Sequence, residues 1–208
     1  MTASRSSAGT REPSRARLSA SDWIDAAIDV LAARGLSAIA VEPLAIELGV
    51  TKGSFYAHFD TRDDLIVAVL GRWEAVDTDE TIRDVEQIAD PAERLSRLIE
   101  LNFQRPRWGR TFAALCANAD DPRVQPFMDR VYRRRLTYFE QALLQLGVAS
   151  GEAQDRAVLI YTAYVGFWRI IAADPAWELH TQQRMQRYAE HVKATLIPHP
   201  PRRARAPR

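Results

Sequence analysis

From Ser21 onward apolar residues recur three and four positions apart, and no run alternates with period two, so the pattern predicts an all-α chain. Ser21 is placed to cap a first helix whose broad face carries Trp23, Ile24, Ala27, Ile28 and Leu31, and Gly35 supplies a left-handed stop after Arg34. A short helix follows across Pro43, Leu44, Ala45 and Leu48. Pro43 is tolerable there because it lies in the first turn, and Gly49 ends the helix. Thr61 caps a long helix with Leu65, Val69, Trp73 and Val76 on one side. Asp63 and Asp64 fall in its first turn, where the helix dipole favours them, and the pattern weakens beyond Asp77.

Asp90-Pro91-Ala92-Glu93 has the form of a capping box with proline at the first helical position, leading into Leu95, Leu98, Ile99 and Asn102. Another helix is expected over residues 111–118. Asp121-Pro122 opens a long one marked by Val124, Phe127, Val131, Phe139, Leu143 and Leu146, with Pro126 kinking or delaying its start. Residues 147–151 break the chain before a helix over roughly 153–172, and Thr181 caps the last, with Met185, Tyr188, Val192 and Leu196. That makes about nine helices, with no internal repeat.

Composition narrows the class. With 47% hydrophobic and 26% charged residues, the 208-residue chain has the balance of a globular protein able to bury a core. Cys116 is the single cysteine, so no intrachain disulfide can form. Residues 1–17 lack the apolar stretch of a signal peptide, and no uncharged run approaches the roughly 18 residues of a membrane helix; no membrane partner and a cytoplasmic location are expected. The net charge of +1 says little as a total, but Arg5, Arg11, Arg15 and Arg17 crowd one end and Arg202, Arg203, Arg205 and Arg208 the other. Residues 1–18 and 198–208 are therefore read as a disordered basic arm and tail.

The segment from Leu44 to Tyr56 meets the demands of a tight helix-turn-helix position by position. Ala45 lets a second helix approach, Gly49 can take positive φ in the turn, and Val50 plugs the space between the helices. Thr51 stands at an N-cap, its hydroxyl and the free N–H groups behind it offering a seat for a DNA phosphate. Lys52, Gly53 and Ser54 are small or positive at the groove-facing end. Tyr56 and His58 extend the polar surface, while Phe55 and Phe59 turn inward. Two short helices around a glycine also occur in proteins that never meet DNA, so spacing alone leaves that alternative open.

The run Gly49-Val50-Thr51-Lys52-Gly53-Ser54-Phe55-Tyr56-Ala57-His58-Phe59, with Arg62 and Leu65 after it and Ile24-Asp25-Ala26-Ala27 and Gly35 before it, closely resembles the tetracycline-repressor (TetR) family of bacterial regulators. The resemblance covers residues 20 to 70. It implies a three-helix DNA-binding domain over residues 19–66 and a helical effector-binding and dimerisation domain over residues 67–197. Thr51, Lys52, Ser54, Tyr56 and His58 would contact phosphates and base edges, Gly53 would permit close backbone approach, and Arg62 would reach a phosphate from the start of the fourth helix. Two positions depart from the family pattern: Ala40 replaces a frequent threonine cap, and Glu42-Pro43 is less basic than in many relatives. Between Ser19 and Asp60 only Arg34 and Lys52 oppose Asp22, Asp25, Asp29, Glu42, Glu47 and Asp60, although phosphate neutralisation normally dominates affinity. The arginine arm could compensate by lying along the DNA; a merely solubilising tail is the alternative.

A single reading helix covers too few base pairs, so a homodimer on a palindromic operator of double-stranded DNA is expected, with half-sites about 34 to 36 Å apart or a multiple. Residues 157–173 leave hardly any polar face, and a helix apolar all round must be covered on all sides. Ile160, Ala163, Tyr164, Phe167 and Ile171, with Met185, Tyr188, Val192 and Leu196, are the candidate four-helix interface, Ala163 and Gly166 allowing close packing; a monomer core is the alternative. Asn102, Phe103, Trp108, Phe112, Cys116, Tyr138, Gln141, Tyr164 and Trp168 are candidates to line an effector pocket, or simply core. Cys116 is read as a buried inert thiol ahead of a redox sensor. The expected function is a repressor released by a small-molecule effector through a shift of the helix that starts at Thr61. Activation by the same fold remains an alternative, as does a helical enzyme or an interaction module without DNA binding. No nucleophile-base signature, phosphate loop or metal spacing is present: His58, His180, His191 and His199 are scattered, so no cofactor, metal or catalytic residue is expected.

Overall fold

The computed structural model describes residues 18–174 and 181–198. The arginine-rich arm and tail, His180 and His199 lie outside the described residues, and those residues form helices and no strand. α1 (Ala20–Arg34) is capped by Ser19, two residues before the expected Ser21. The reason is a complete capping box: Asp22 accepts both the Ser19 N–H and its hydroxyl at 2.7 Å, while Ser19 Oγ accepts the Asp22 N–H. Ser21 instead accepts a hydrogen bond from Arg72. Gly35 stops the helix at φ 84°, and a 3₁₀ turn (Leu36–Ala38) leads to α2 (Val41–Glu47) and α3 (Lys52–Phe55).

α4 (Arg62–Glu74) is capped by the box Thr61–Asp64 and does not stop where the apolar pattern weakens. It runs through a π-helical turn, Ala75–Glu80, straight into α5 (Thr81–Glu86), so α4 and α5 form one continuous helix. α6 (Pro91–Gln104) is capped by Asp90, which accepts the Glu93 N–H at 2.8 Å. α7 (Pro106–Cys116) starts five residues ahead of the expected position, with Pro106 pre-set for the first turn. α8 (Gln125–Gln145) carries Pro126 in its first turn, so the proline delays the helix without kinking it. α9 (Ser150–Ala173) and α10 (Gln182–Leu196), the latter capped by Thr181, complete the chain. With α4 and α5 counted as one, the described residues hold nine α-helices.

One hydrophobic core runs from Trp23, Phe55 and Leu65 to Phe139, Phe167 and Val192. α1 packs on both α4 and α7, which seats the first three helices on the rest, and ion pairs reinforce the seat: Arg107 reaches Asp29 at 2.6 Å and the Asp25 carbonyl at 2.9 Å, and Arg123 bonds Asp63 of α4. α7 and α9 approach closely at Gly109. A Cβ on Gly109 would stand 2.0 Å from the Trp168 ring, whose indole N–H donates to the Asn102 carbonyl at 3.0 Å. Gly166, which the sequence suggested for close packing, has open space around it.

α9 is the described helix whose length and apolarity would suit a membrane span, but one side of it is packed inside the fold. Ile160, Tyr161, Tyr164, Phe167, Trp168 and Ile171 are buried at helical spacing. Val158, Leu159 and Ile170 are exposed on the other side. The expectation that this helix is covered on every side therefore holds, within one chain, for one side.

Candidate nucleic-acid interface

Gly49 takes φ 67° in the turn after α2, and the Val50 N–H reaches back to the Ala45 carbonyl at 2.9 Å. This reversal throws α3 outward. Phe55 then fixes it from behind: fully buried, it meets Trp23 of α1 edge-on at 5.3 Å and stacks on Phe59 at 5.5 Å. Ala45 and Phe59 are buried as well, so the side chains that hold the motif point inward while Thr51, Lys52, Gly53 and Tyr56 remain exposed. Ser54 is half-buried. Thr51 is the extended N-cap residue of α3, and its hydroxyl makes no cap bond within the chain. A Cβ on Gly53 would meet no protein atom closer than Thr51 Oγ1 at 3.6 Å, so its lack of a side chain is not required by packing.

His58 and Arg62 are differently placed from these. His58 Nε2 lies 2.9 Å from the Leu18 carbonyl and so donates to it, tying the lead into α1 to the end of the reading segment. Arg62 donates from Nε to the Ile39 carbonyl at 2.5 Å and from Nη2 to the Leu36 carbonyl at 3.2 Å. Its guanidinium closes the link between α1 and α2 over the start of α4. Much of its donor capacity is spent inside the fold, where the sequence had aimed it at a phosphate.

The exposed face is electrically balanced. Lys52 pairs with Glu42 at 2.8 Å and Arg34 with Glu47 at 3.4 Å. The hydrogen bond from Lys52 lowers the Glu42 pKa, and the one to Glu42 raises that of Lys52, so both stay ionised. Glu42, a departure from the TetR pattern in the sequence, thus stands against the cation that a phosphate would seek.

The residues expected to line a pocket fall in four places. Phe103, Phe112, Tyr164 and Trp168 belong to a packed aromatic cluster, with Phe112 and Tyr164 at 4.7 Å and Phe103 and Phe167 at 5.1 Å. Trp108 is buried beneath the Arg105 and Arg107 guanidiniums, and burial pushes the half-buried Cys116 thiol up to about 11, away from thiolate chemistry at neutral pH. Tyr138 and Gln141 line an open groove of about 690 Å³ on α8. Asn102 and Tyr138 meet at a small interior cavity that the sequence did not anticipate, walled by Asp77, Thr78, Thr81, Ile82, Leu98 and Arg135. Arg135 was hidden in the run Arg133-Arg134-Arg135, yet it falls between Val131 and Phe139 on one buried stripe, four residues from each.

The interface candidates divide too. Ile160, Tyr164, Phe167, Ile171, Met185 and Val192 are buried within the chain, and Ala163, Tyr188 and Leu196 are half-buried. The uncovered apolar positions are Val158, Leu159 and Ile170, of which Leu159 borders a groove with Thr162, Ala163, His191 and Leu196. A strict reading of the helical period would have separated these two faces.

A short exposed helix, held by a glycine turn and aromatic anchors on a helical scaffold, has the geometry of a helix-turn-helix, the motif that places its second helix in the DNA major groove. Residues 24–69 match the sequence model of bacterial regulatory proteins of the tetR family. No curated protein matches the chain significantly. Among solved structures, a transcriptional regulator from Rhodococcus sp. Rha1 superposes with TM-score 0.70 at 22% identity, covering 86% of this chain and 96% of that one. A putative regulator from Saccharomonospora viridis in complex with choline gives TM-score 0.70 at 19% identity, covering 84% and 93%. AibR, in complex with isovaleryl coenzyme A and operator DNA, gives 0.64 at 17% identity, covering 86% and 98%. Residues 24–69 thus match the tetR family of bacterial regulatory proteins, and the chain as a whole shares its fold with these solved regulators.

Proposed function

We propose that the chain is a transcriptional repressor that binds a palindromic operator as a homodimer and is released by a small-molecule effector. One observation carries the reading: a continuous helix, α4 through α5, joins the exposed reading unit to an interior cavity. At its start Arg62 grips the carbonyls before α2; at its far end Thr78, Thr81 and Ile82 wall the cavity. A ligand that repositions the cavity end moves the seat of α3, and a coupling of about 1 to 3 kcal/mol between the two sites changes DNA affinity 5- to 150-fold. AibR, of the same fold, was solved in complex with both isovaleryl coenzyme A and operator DNA, so this fold can carry a ligand site as well as a DNA surface.

Thr51, Lys52, Gly53, Ser54 and Tyr56 are assigned to the DNA surface, with His58 and Arg62 fixing its orientation. The dimer is assigned to the exposed side of α9 and its neighbour α10, with Leu159, Ala163, Ile170 and Leu196 in contact and Ile160, Phe167 and Val192 supporting them from beneath. The reading assigns no catalytic step and places the protein with DNA in the cytoplasm. Selection of bound fragments from random-sequence duplex DNA tests it. Enrichment of a palindrome, bound by two chains per duplex in sedimentation, is the expected result; recovery of no preferred sequence would overturn the reading.

A further inference from the structure

Arg135 is buried in the middle of α8, between the Asp77–Thr78 turn and the Phe112 and Tyr164 rings. Nη2 donates to Asp77 Oδ2 at 2.7 Å and to the Asp77 carbonyl at 3.0 Å, and Nε donates to Thr78 Oγ1 at 3.0 Å. Burial opposes the charged guanidinium, but the Asp77 carboxylate together with the Tyr164 and Tyr161 phenols outweighs it and holds the pKa above the usual arginine range. The remaining nitrogen, Nη1, has no hydrogen-bond partner among the described residues, and neither has the buried Tyr138 hydroxyl. Buried polar groups are nearly always paired, so two orphans around one cavity require an explanation. Both residues line the interior cavity, whose free volume of about 10 Å³ is at the lower limit for a single water molecule.

The other polar groups there are already used. Thr78 accepts from Arg135, and the Thr81 hydroxyl donates to the Val76 carbonyl and accepts from Arg105. What is left is directional: a guanidinium N–H, a phenol, and the Asn102 side-chain amide. Because Asp77 already balances Arg135, a ligand carboxylate would set two negative charges on one buried cation. The vacant N–H matches a neutral oxygen.

Tyr138 and Ile82 also line the 690 Å³ groove, so they form the wall between cavity and groove. Of the four arginines that line the groove, Arg130 pairs with Glu74 at 2.7 Å, Arg134 pairs with Asp79 at 2.8 Å, and Arg94 donates to the Ile88 and Ala89 carbonyls and to Gln145, while Arg133 stands at the exposed rim. Its inner end, at Ile82 and Ala142, is apolar.

Resting on the reading of the chain as an effector-released regulator, we infer that the effector is an uncharged, mainly apolar molecule bearing a carbonyl or hydroxyl oxygen. Its oxygen accepts from Arg135 Nη1 beside the Tyr138 hydroxyl, and its hydrocarbon body passes Ile82 into the groove. Asp77 and Thr78 lie on the π-helical turn, so the contact loads the continuous helix that leads to the reading unit.

The test uses four eight-carbon probes, 2-octanone, 1-octanol, octanoate and octane, in calorimetric titrations of the full chain. The ketone and alcohol are expected to bind roughly tenfold or more tighter than the alkane and the acid, the scale of one hydrogen bond to a charged group. The double variant Arg135→Met/Asp77→Asn, which removes both charges together, should lose this preference, and Tyr138→Phe should weaken ketone binding while folding normally. Tightest binding of octanoate, equal binding of all four, or binding of none overturns the inference. Palindrome selection by the wild-type chain is scored separately: if it succeeds while the probe series fails, the effector chemistry is wrong and the regulator reading stands.

Discussion

The reading unit and the interior of the larger helical part handle charge in opposite ways. Around α2 and α3 the cations Lys52 and Arg34 lie in water against Glu42 and Glu47, where an ion pair is weak, screened by salt and easily exchanged for a phosphate. In α8 the cation Arg135 lies out of water, locked to Asp77 under Phe112 and Tyr164. The first arrangement leaves a surface that can trade partners without disturbing the fold. The second makes the fold depend on the pair, and it reserves one donor for something else.

That contrast can be broken most forcefully at the buried pair. Asp77→Ala strands the Arg135 guanidinium and should cost about 3 to 5 kcal/mol, read as a large fall in the denaturation midpoint. Unchanged stability would show that the pair is not the anchor described. Gly109→Ala comes next: with a Cβ falling within the Trp168 ring, α7 and α9 must separate, for about 1 to 3 kcal/mol of overpacking strain in the same measurement. On the exposed unit, Glu42→Gln frees Lys52 and should raise operator affinity roughly two- to fivefold at low salt, fading as salt is added, with no change in the melting curve. An affinity loss would mean that Glu42 orients Lys52 for DNA.

A smaller effect concerns acid. Hydrogen bonds from Arg123 lower the Asp121 pKa from 3.8 to about 2, so the folded chain holds this carboxylate ionised more firmly than the unfolded chain does. The stabilisation is complete above about pH 4 and is lost as the pH falls toward 2. Asp121→Asn should remove that limb of the acid denaturation curve and leave the neutral region nearly unchanged.

The two regions were also unequally legible in the sequence. Gly49, Thr51, Phe55 and Phe59 declare the helix-turn-helix because their spacing is local: a positive φ in the turn, an extended N-cap position, and two aromatics four residues apart that stack on each other. The capping positions at Thr61, Asp90 and Thr181 are local in the same sense and were found. Where a side chain's partner lies far along the chain, the sequence could not say so. His58 reaches Leu18, Arg62 reaches Ile39, and Arg135 reaches Asp77 across 58 residues. The pocket candidates were ambiguous for a related reason, since aromatics at helical spacing fit a core and a cavity equally well: Phe103, Phe112, Tyr164 and Trp168 pack together, while Asn102, Tyr138 and Gln141 line open space. The π-helical turn left one trace, the fading apolar pattern after Asp77, which marks a change of helical period where a helix end was one alternative.

The central claim is that the exposed face of α3 reads DNA while the aromatic anchors behind it hold the fold. It is tested most directly by titrating the operator duplex recovered by selection with the wild-type chain and with Lys52→Ala/Tyr56→Ala, alongside thermal melts of both. The double variant is predicted to lose roughly thirtyfold or more in specific affinity, with an unchanged melting curve and unchanged oligomeric state. A folded double variant that binds the operator as well as the wild type would contradict the account.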